Sequence, residues 1–144
     1  MTKLTPDAAL ERARAELDLK PPVEGKAWPV HPASGEGVSY FLVLLGDPGA
    51  PIAAVAVDST SGDVISSARL SGSLPHLSIA ADEAVRRTGM PEGSATRLVW
   101  EPSRQTRSPL YPVWEVRNGS ERAYVDQRGL TWRRLGPSRP GGGQ

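Results

Sequence analysis

Two runs of β-forming residues, 38–45 and 51–57, stand almost end to end, separated by Gly46, Asp47, Pro48 and Gly49 with Ala50. This spacing predicts an antiparallel hairpin, since paired strands bury their apolar side chains while satisfying each other's backbone groups. The longer run is far short of the ~20 residues that a bilayer-spanning helix needs, so it reads as a buried strand and not as an anchor.

The hairpin has a helix ahead of it and a turn behind it. Thr5 is placed to cap a helix with Pro6 in its first turn and Asp7 beside it. Ala9, Leu10, Ala13 and Leu17 then repeat at helical spacing until Pro21 and Pro22. A Pro/Gly-rich stretch holding Trp28 reads as a connection. Residues 58–63, DSTSGD, predict a turn with Gly62 at positive φ, and Val64, Ile65 and Leu70 continue as a strand. The first half is thus expected to run helix, then three strands.

The second half follows the same plan. Ser78 is expected to cap a helix from Ile79 through Ala81, Ala84 and Val85, with Gly89 as its left-handed end. Strands are expected around Leu98 and Trp100, over 111–117, 120–126 and 130–135. VAVDSTSGDV at 55–64 lines up with AYVDQRGLTW at 123–132. The fold class read from this is α+β, with two tandem helix-plus-antiparallel-sheet repeats packed as one globular unit. The first repeat covers 1–72 and the second 73–135. Residues 136–144, GPSRPGGGQ, are too poor in apolar side chains to fold and are expected as a disordered tail.

The last hairpin can be read in register. A two-residue Asn118-Gly119 turn sets Val116 opposite Glu121, Glu115 opposite Arg122 and Trp114 opposite Ala123. Trp114, Val116, Ala123 and Val125 then share the face that covers the helices. Tyr111, Glu115, Arg117, Arg122, Tyr124 and Asp126 share the other, joined by Trp132 and Arg134. Tyr124, Trp132, Arg134 and Arg122 are the candidate partner-binding residues, because Tyr, Trp and Arg dominate interface hot spots. The alternative is a patch buried between the two repeats, with arginine stems packed along the aromatics.

Charge sharpens the partner question. The 17 basic and 16 acidic residues give a net +1, with no general pull toward polyanions. Residues 1–96 carry 8 basic and 12 acidic side chains, and residues 97–144 carry 9 and 4. The basic half contains no lysine, no recognition-helix pattern and no RNA-binding signature, so its charge reads as intramolecular complementarity or as a site for an acidic protein partner, and nucleic acid is not expected. Cysteine is absent, which removes disulfides, thiolate catalysis and sulfur-ligated zinc. His31 and His76 stand in no paired spacing, and no nucleophile elbow or phosphate-binding loop is present. Glu115 and Asp126 read as solvated charges. The reading is therefore of a non-enzyme without catalytic residues, metal or cofactor. The first residues lack a signal pattern, so a cytoplasmic protein without membrane association is expected.

TPDAALERARAEL, YFLVLL and PIAAVAVDSTSGDVISS, and again SPLYPVWEVRNGSERAYVDQRGLTW, together resemble the PepSY domain. In that family a helix packs on a small antiparallel sheet, and a Val-Asp-x-x-x-Gly-x-Val turn joins the last strands. The same phrase is similar to the YrhB-type immunity proteins, cytosolic bacterial α+β proteins. The second resemblance implies a non-catalytic protein that binds and neutralises a partner such as a toxin. The first implies a peptidase-modulating or small-ligand module. An enzyme of unrecognised type is the third alternative.

Overall fold

The Thr5 hydroxyl accepts a hydrogen bond from the Ala8 backbone N–H at 3.1 Å, and Pro6 opens helix α1 (Pro6–Glu16). A proline here costs no hydrogen bond, because the first helical N–H groups have no intrahelical partner. The computed structural model describes residues 4–17, 24–33, 35–47, 49–71, 76–77, 79–102 and 108–133. It divides into two compact units, Met1–His76 and Leu77–Gln144. No helix among the described residues is long and apolar enough to cross a membrane.

In the first unit, α1 is followed by β1 (Gly25–Pro32), β2 (Tyr40–Asp47), β3 (Ala50–Asp58) and β4 (Val64–Arg69). The strands pair antiparallel in sequence order, as a meander. Phe41, Val43 and Leu45 of β2 pair with Val57, Val55 and Ala53 of β3 and form a core with Ala9 and Ala13 of α1. Two alanines on the buried stripe let the helix lie close to the sheet. Tyr40, Leu42 and Leu44, on the other face of β2, are buried as well. That is why the run shows no alternation of apolar and polar residues.

The first unit thus has four strands where three were expected. The extra one is β1, hidden in the sequence by Gly25, Pro29 and Pro32. Proline is tolerated in a strand where the missing N–H is not needed for pairing, and Trp28 pairs with Leu42 and Val30 with Tyr40. Gly25 is required by space. A Cβ there would lie 2.8 Å from Leu10 Cδ1, Leu45 Cδ2 and the Leu44 carbonyl oxygen.

The turn between β3 and β4 is held by Asp58. Its Oδ2 accepts from the N–H of Thr60 at 2.9 Å and of Ser61 at 2.8 Å, and from the Ser61 hydroxyl at 3.1 Å. Gly62 takes φ 78° as expected. Ser59, buried beside it, donates to the carbonyls of Val38 and Ser39 and ties the turn to the start of β2.

The second unit has helix α2 (Ala81–Thr88), then β5 (Ala95–Trp100), β6 (Val113–Asn118), β7 (Glu121–Val125) and the short β8 (Thr131–Trp132), again an antiparallel meander. The helix starts later than the expected Ile79, with Ala80 at the N-cap and no side-chain cap. Ile79 is committed elsewhere: its N–H donates to Gln127 Oε1 at 3.1 Å, and its carbonyl accepts the Trp114 indole N–H at 2.7 Å. Asp82 and Glu83 in the first turn supply the negative charge that the helix N-terminus favours. Gly89 closes the helix at φ 77°, as expected. Strand β6 begins two residues later than expected, which leaves Tyr111 in a turn, half exposed. Expectations placed on Pro21, Pro22, Pro48, Ser78, Leu135 and the 136–144 tail lie outside the described residues.

Two measurements test this account. Gly25→Ala is expected to destabilise by about 1–3 kcal/mol, because a methyl group must displace backbone as well as side chains, read as a lower urea midpoint. The second is pH-dependent. The Ser61 N–H, aided by the Thr60 N–H and the Ser61 hydroxyl against a weaker opposing effect of burial, holds the Asp58 carboxyl below the ordinary carboxylate range. A depressed folded-state pKa contributes stability above the unfolded value, about 4, and loses it as pH falls through the folded value. Asp58→Asn is therefore expected to flatten the acid limb of stability against pH.

Candidate functional site

The sheet of the second unit has two faces with different chemistry. Leu98, Trp114 and Val125 form one cross-strand row on the first face, and Thr96, Val116 and Ala123 form the next. On the second face, Arg97, Glu115, Tyr124 and Trp132 stand in one row across β5, β6, β7 and β8. Ala95, Arg117 and Arg122 make the row beside it.

This register differs from the expected one. Gly119 and Ser120 form the loop, Gly119 takes φ 64°, and Asn118 is the last residue of β6, opposite Glu121. The Asn-Gly preference is overridden by side-chain pairing across the strands. The expected register sets Val116 against Glu121. The observed one sets Val116 against Ala123 and Trp114 against Val125, and leaves the polar pair beside the loop. The slip is one residue on each strand, so every side chain keeps its face. Glu115 and Arg122 are no longer opposite but diagonal, with Arg122 Nε 3.7 Å from Glu115 Oε2.

Glu115 and Asp126, expected as solvated charges, are both buried. Glu115 is 0% exposed and its Oε1 accepts from Arg97 Nε at 2.9 Å. Its Oε2 accepts no hydrogen bond. A buried carboxylate is costly unless paired, and the two arginines of neighbouring strands supply the pairing. Asp126 sits at the turn after β7, with Gly129 at φ 88°. Its Oδ1 accepts from the N–H of Arg128 at 2.9 Å and of Leu130 at 3.0 Å. Its Oδ2 accepts the Trp132 indole N–H at 3.1 Å. The turn thereby fixes the orientation of Trp132.

The four partner-binding candidates fall in different settings. Tyr124 is buried at 6% exposed, directly opposite a half-buried Trp132. Arg122 keeps its side chain 44% exposed. Tyr124 first, and then the Glu115 charge, hold its guanidinium pKa above the ordinary value. Arg134 lies outside the described residues. Arg117, opposite Arg122 and exposed, was placed on this face in the sequence but not among the candidates. Its partner across the strand becomes visible only with the correct register. A concavity of about 270 Å³ opens beside this sheet, between Thr88–Pro91 at the end of α2 and Glu121, Ala123, Thr131, Trp132 and Arg133. Chemically, the second face offers fixed cations and an oriented indole, which suits binding of an anionic group. Among the described residues there is no group of three or more His, Asp or Glu side chains placed to hold a metal ion.

Asp126→Ala is expected to cost at least ~2 kcal/mol in unfolding free energy, because it leaves the Trp132 indole and two backbone N–H groups without their acceptor. Asp126→Asn, which keeps one acceptor oxygen, is expected to cost less. Chemical denaturation of the two variants side by side checks the order. Compared with known proteins, the chain matches no family model, no curated protein and no solved structure.

Proposed function

We propose that this chain is a non-catalytic, cytoplasmic binding protein of the immunity type, which occludes a protein partner with the second face of the β5–β8 sheet. One observation carries the reading. Arg122 and Trp132 flank a buried Tyr124 on one face, the first exposed and the second held in place through Asp126. Preorganised Trp and Arg side chains lose little freedom on association, which is what makes them effective anchors. The finer architectural reading, a duplicated unit, is supported by the order of helix and four-strand meander in both units and by an aspartate-held turn after β3 and after β7.

The second reading is a PepSY-like peptidase-modulating or small-ligand module. It is supported by the packing of α1 on its antiparallel sheet and by the turn from Val57 to Val64, which has the family's residue order.

The test is co-purification from the native cell, identified by mass spectrometry, with wild type and an Arg122→Ala/Arg134→Ala variant. The expected outcome is a partner whose binding is weakened by at least ~2 kcal/mol, while the loss in unfolding free energy is smaller than that, because Arg97 still pairs Glu115 when Arg122 is removed. A partner that resists truncation of Trp132 but is lost when the α1 face is altered would support the second reading.

A further inference from the structure

The strongest unabsorbed feature of the second unit is the rung formed by Arg117 and Arg122. The two lie directly opposite each other on β6 and β7, and both are exposed. Directly opposite residues have Cβ atoms about 4.5–5.5 Å apart, and like charges in that position repel. Such a pair is usually relieved by an acid between or beside the two cations. Arg117 makes no ion pair among the described residues. The nearest carboxyl on this face is that of Glu115, already engaged by Arg97 at 2.9 Å and 3.7 Å from Arg122. Glu115 is thus paired with Arg97 and Arg122, and among the described residues no carboxyl is paired with the exposed Arg117.

Two guanidinium forks on adjacent strands suit a planar oxyanion, because each presents parallel N–H donors that match the two oxygens of a carboxylate. The flanking row provides the half-buried Trp132, packed opposite the buried Tyr124, which offers apolar contact to the chain carrying that carboxylate. Nucleic acid fits less well. It presents evenly spaced phosphates and is bound by cations that track them, whereas here the exposed pair occupies a single rung, with Ala95 at its β5 end and the row of Tyr124 and Trp132 beside it. From this juxtaposition, and resting on the protein-binding reading above, we infer that the Arg117–Arg122 rung is a carboxylate-binding site. It receives an acidic segment of the protein partner. The partner supplies the counter-charge that Arg117 lacks, and the repulsion between Arg117 and Arg122 is relieved when it binds.

The experiment uses the full chain and a fluorescein-labelled hexaglutamate peptide, with binding read by fluorescence anisotropy at low and high salt. Arg117→Ala and Arg122→Ala are each expected to weaken binding at least ~10-fold, and Arg69→Ala, an exposed arginine of β4, to leave it unchanged. Arg117→Glu places an opposite charge across from Arg122. It is expected to abolish peptide binding while raising the thermal midpoint, since repulsion is replaced by attraction. Unchanged peptide binding by Arg117→Glu overturns the inference, as does an equal loss in Arg69→Ala. Tighter binding of a single-stranded oligonucleotide, lost in the same variants, also overturns it in favour of nucleic acid. A native partner retained by Arg117→Glu but lost with Trp132→Ala overturns the carboxylate site and leaves the protein-binding reading standing. Rung-dependent hexaglutamate binding with no protein retained by this face has the opposite meaning.

Discussion

The apolar pairing of Trp114 with Val125, and of Val116 with Ala123, is the arrangement on which the geometry of the second unit depends. It sets the register of β6 against β7, and register decides which charges meet on the opposite face. With Trp114 anchored by its indole N–H to the Ile79 carbonyl, a slip of these strands would break a buried hydrogen bond as well as the side-chain pairing. A turn preference is worth less than this. The arginine rung, the diagonal Glu115–Arg122 pair and the Tyr124–Trp132 pair follow from that register.

The two buried acids show two ways of meeting one electrostatic requirement. Desolvating a carboxylate costs several kcal/mol unless donors replace the lost water. Asp126 is served mainly by its own loop, through backbone N–H groups that the turn aims at one oxygen, while the other accepts the Trp132 indole and the Arg128 guanidinium. Glu115 sits in the middle of a strand, whose backbone donors belong to the ladder, and is served by side chains from β5 and β7. The first arrangement is local and rigid. The second draws on Arg122, whose side chain is 44% exposed, and so couples a buried charge to the exposed face.

Much of this was legible in the sequence, for physical reasons that differ from place to place. The Thr5 cap, the Gly62 and Gly89 conformations and the β2–β3 hairpin depend on residues close along the chain, and local chemistry is what a sequence displays directly. Strand β1 was hidden because Gly25 is present for the space that Leu10 and Leu45 occupy, a reason visible only once helix and sheet are together. The start of α2 was misjudged because the backbone of Ile79 is taken by Trp114 and Gln127, far away in sequence. For the candidate site, the faces were readable and the partners were not. Alternation assigns a side to each residue of a strand, and a slip of one residue on both strands leaves those sides unchanged. That is why Arg122, Tyr124 and Trp132 were placed together, while the Arg117–Arg122 opposition and the burial of Glu115 were missed.

The turns of Asp58 and Asp126 show how one local device takes on different roles. In both, the aspartate stands at the end of a β-strand, Asp58 as the last residue of β3 and Asp126 just after β7, and its carboxyl accepts backbone N–H groups two residues on and beyond. The loop is closed by a bond from the aspartate N–H to Asp63 in one case and to Leu130 in the other, one residue nearer. In the first unit the remaining side-chain hydrogen bond returns to Ser61, so the turn is closed on itself. The shorter loop brings Trp132 within reach of the second carboxyl oxygen of Asp126. The same aspartate that shapes the turn therefore also orients an aromatic beside Tyr124 and Arg122. A turn that stabilises its own strands in one unit becomes, in the other, part of the scaffold of a candidate binding face.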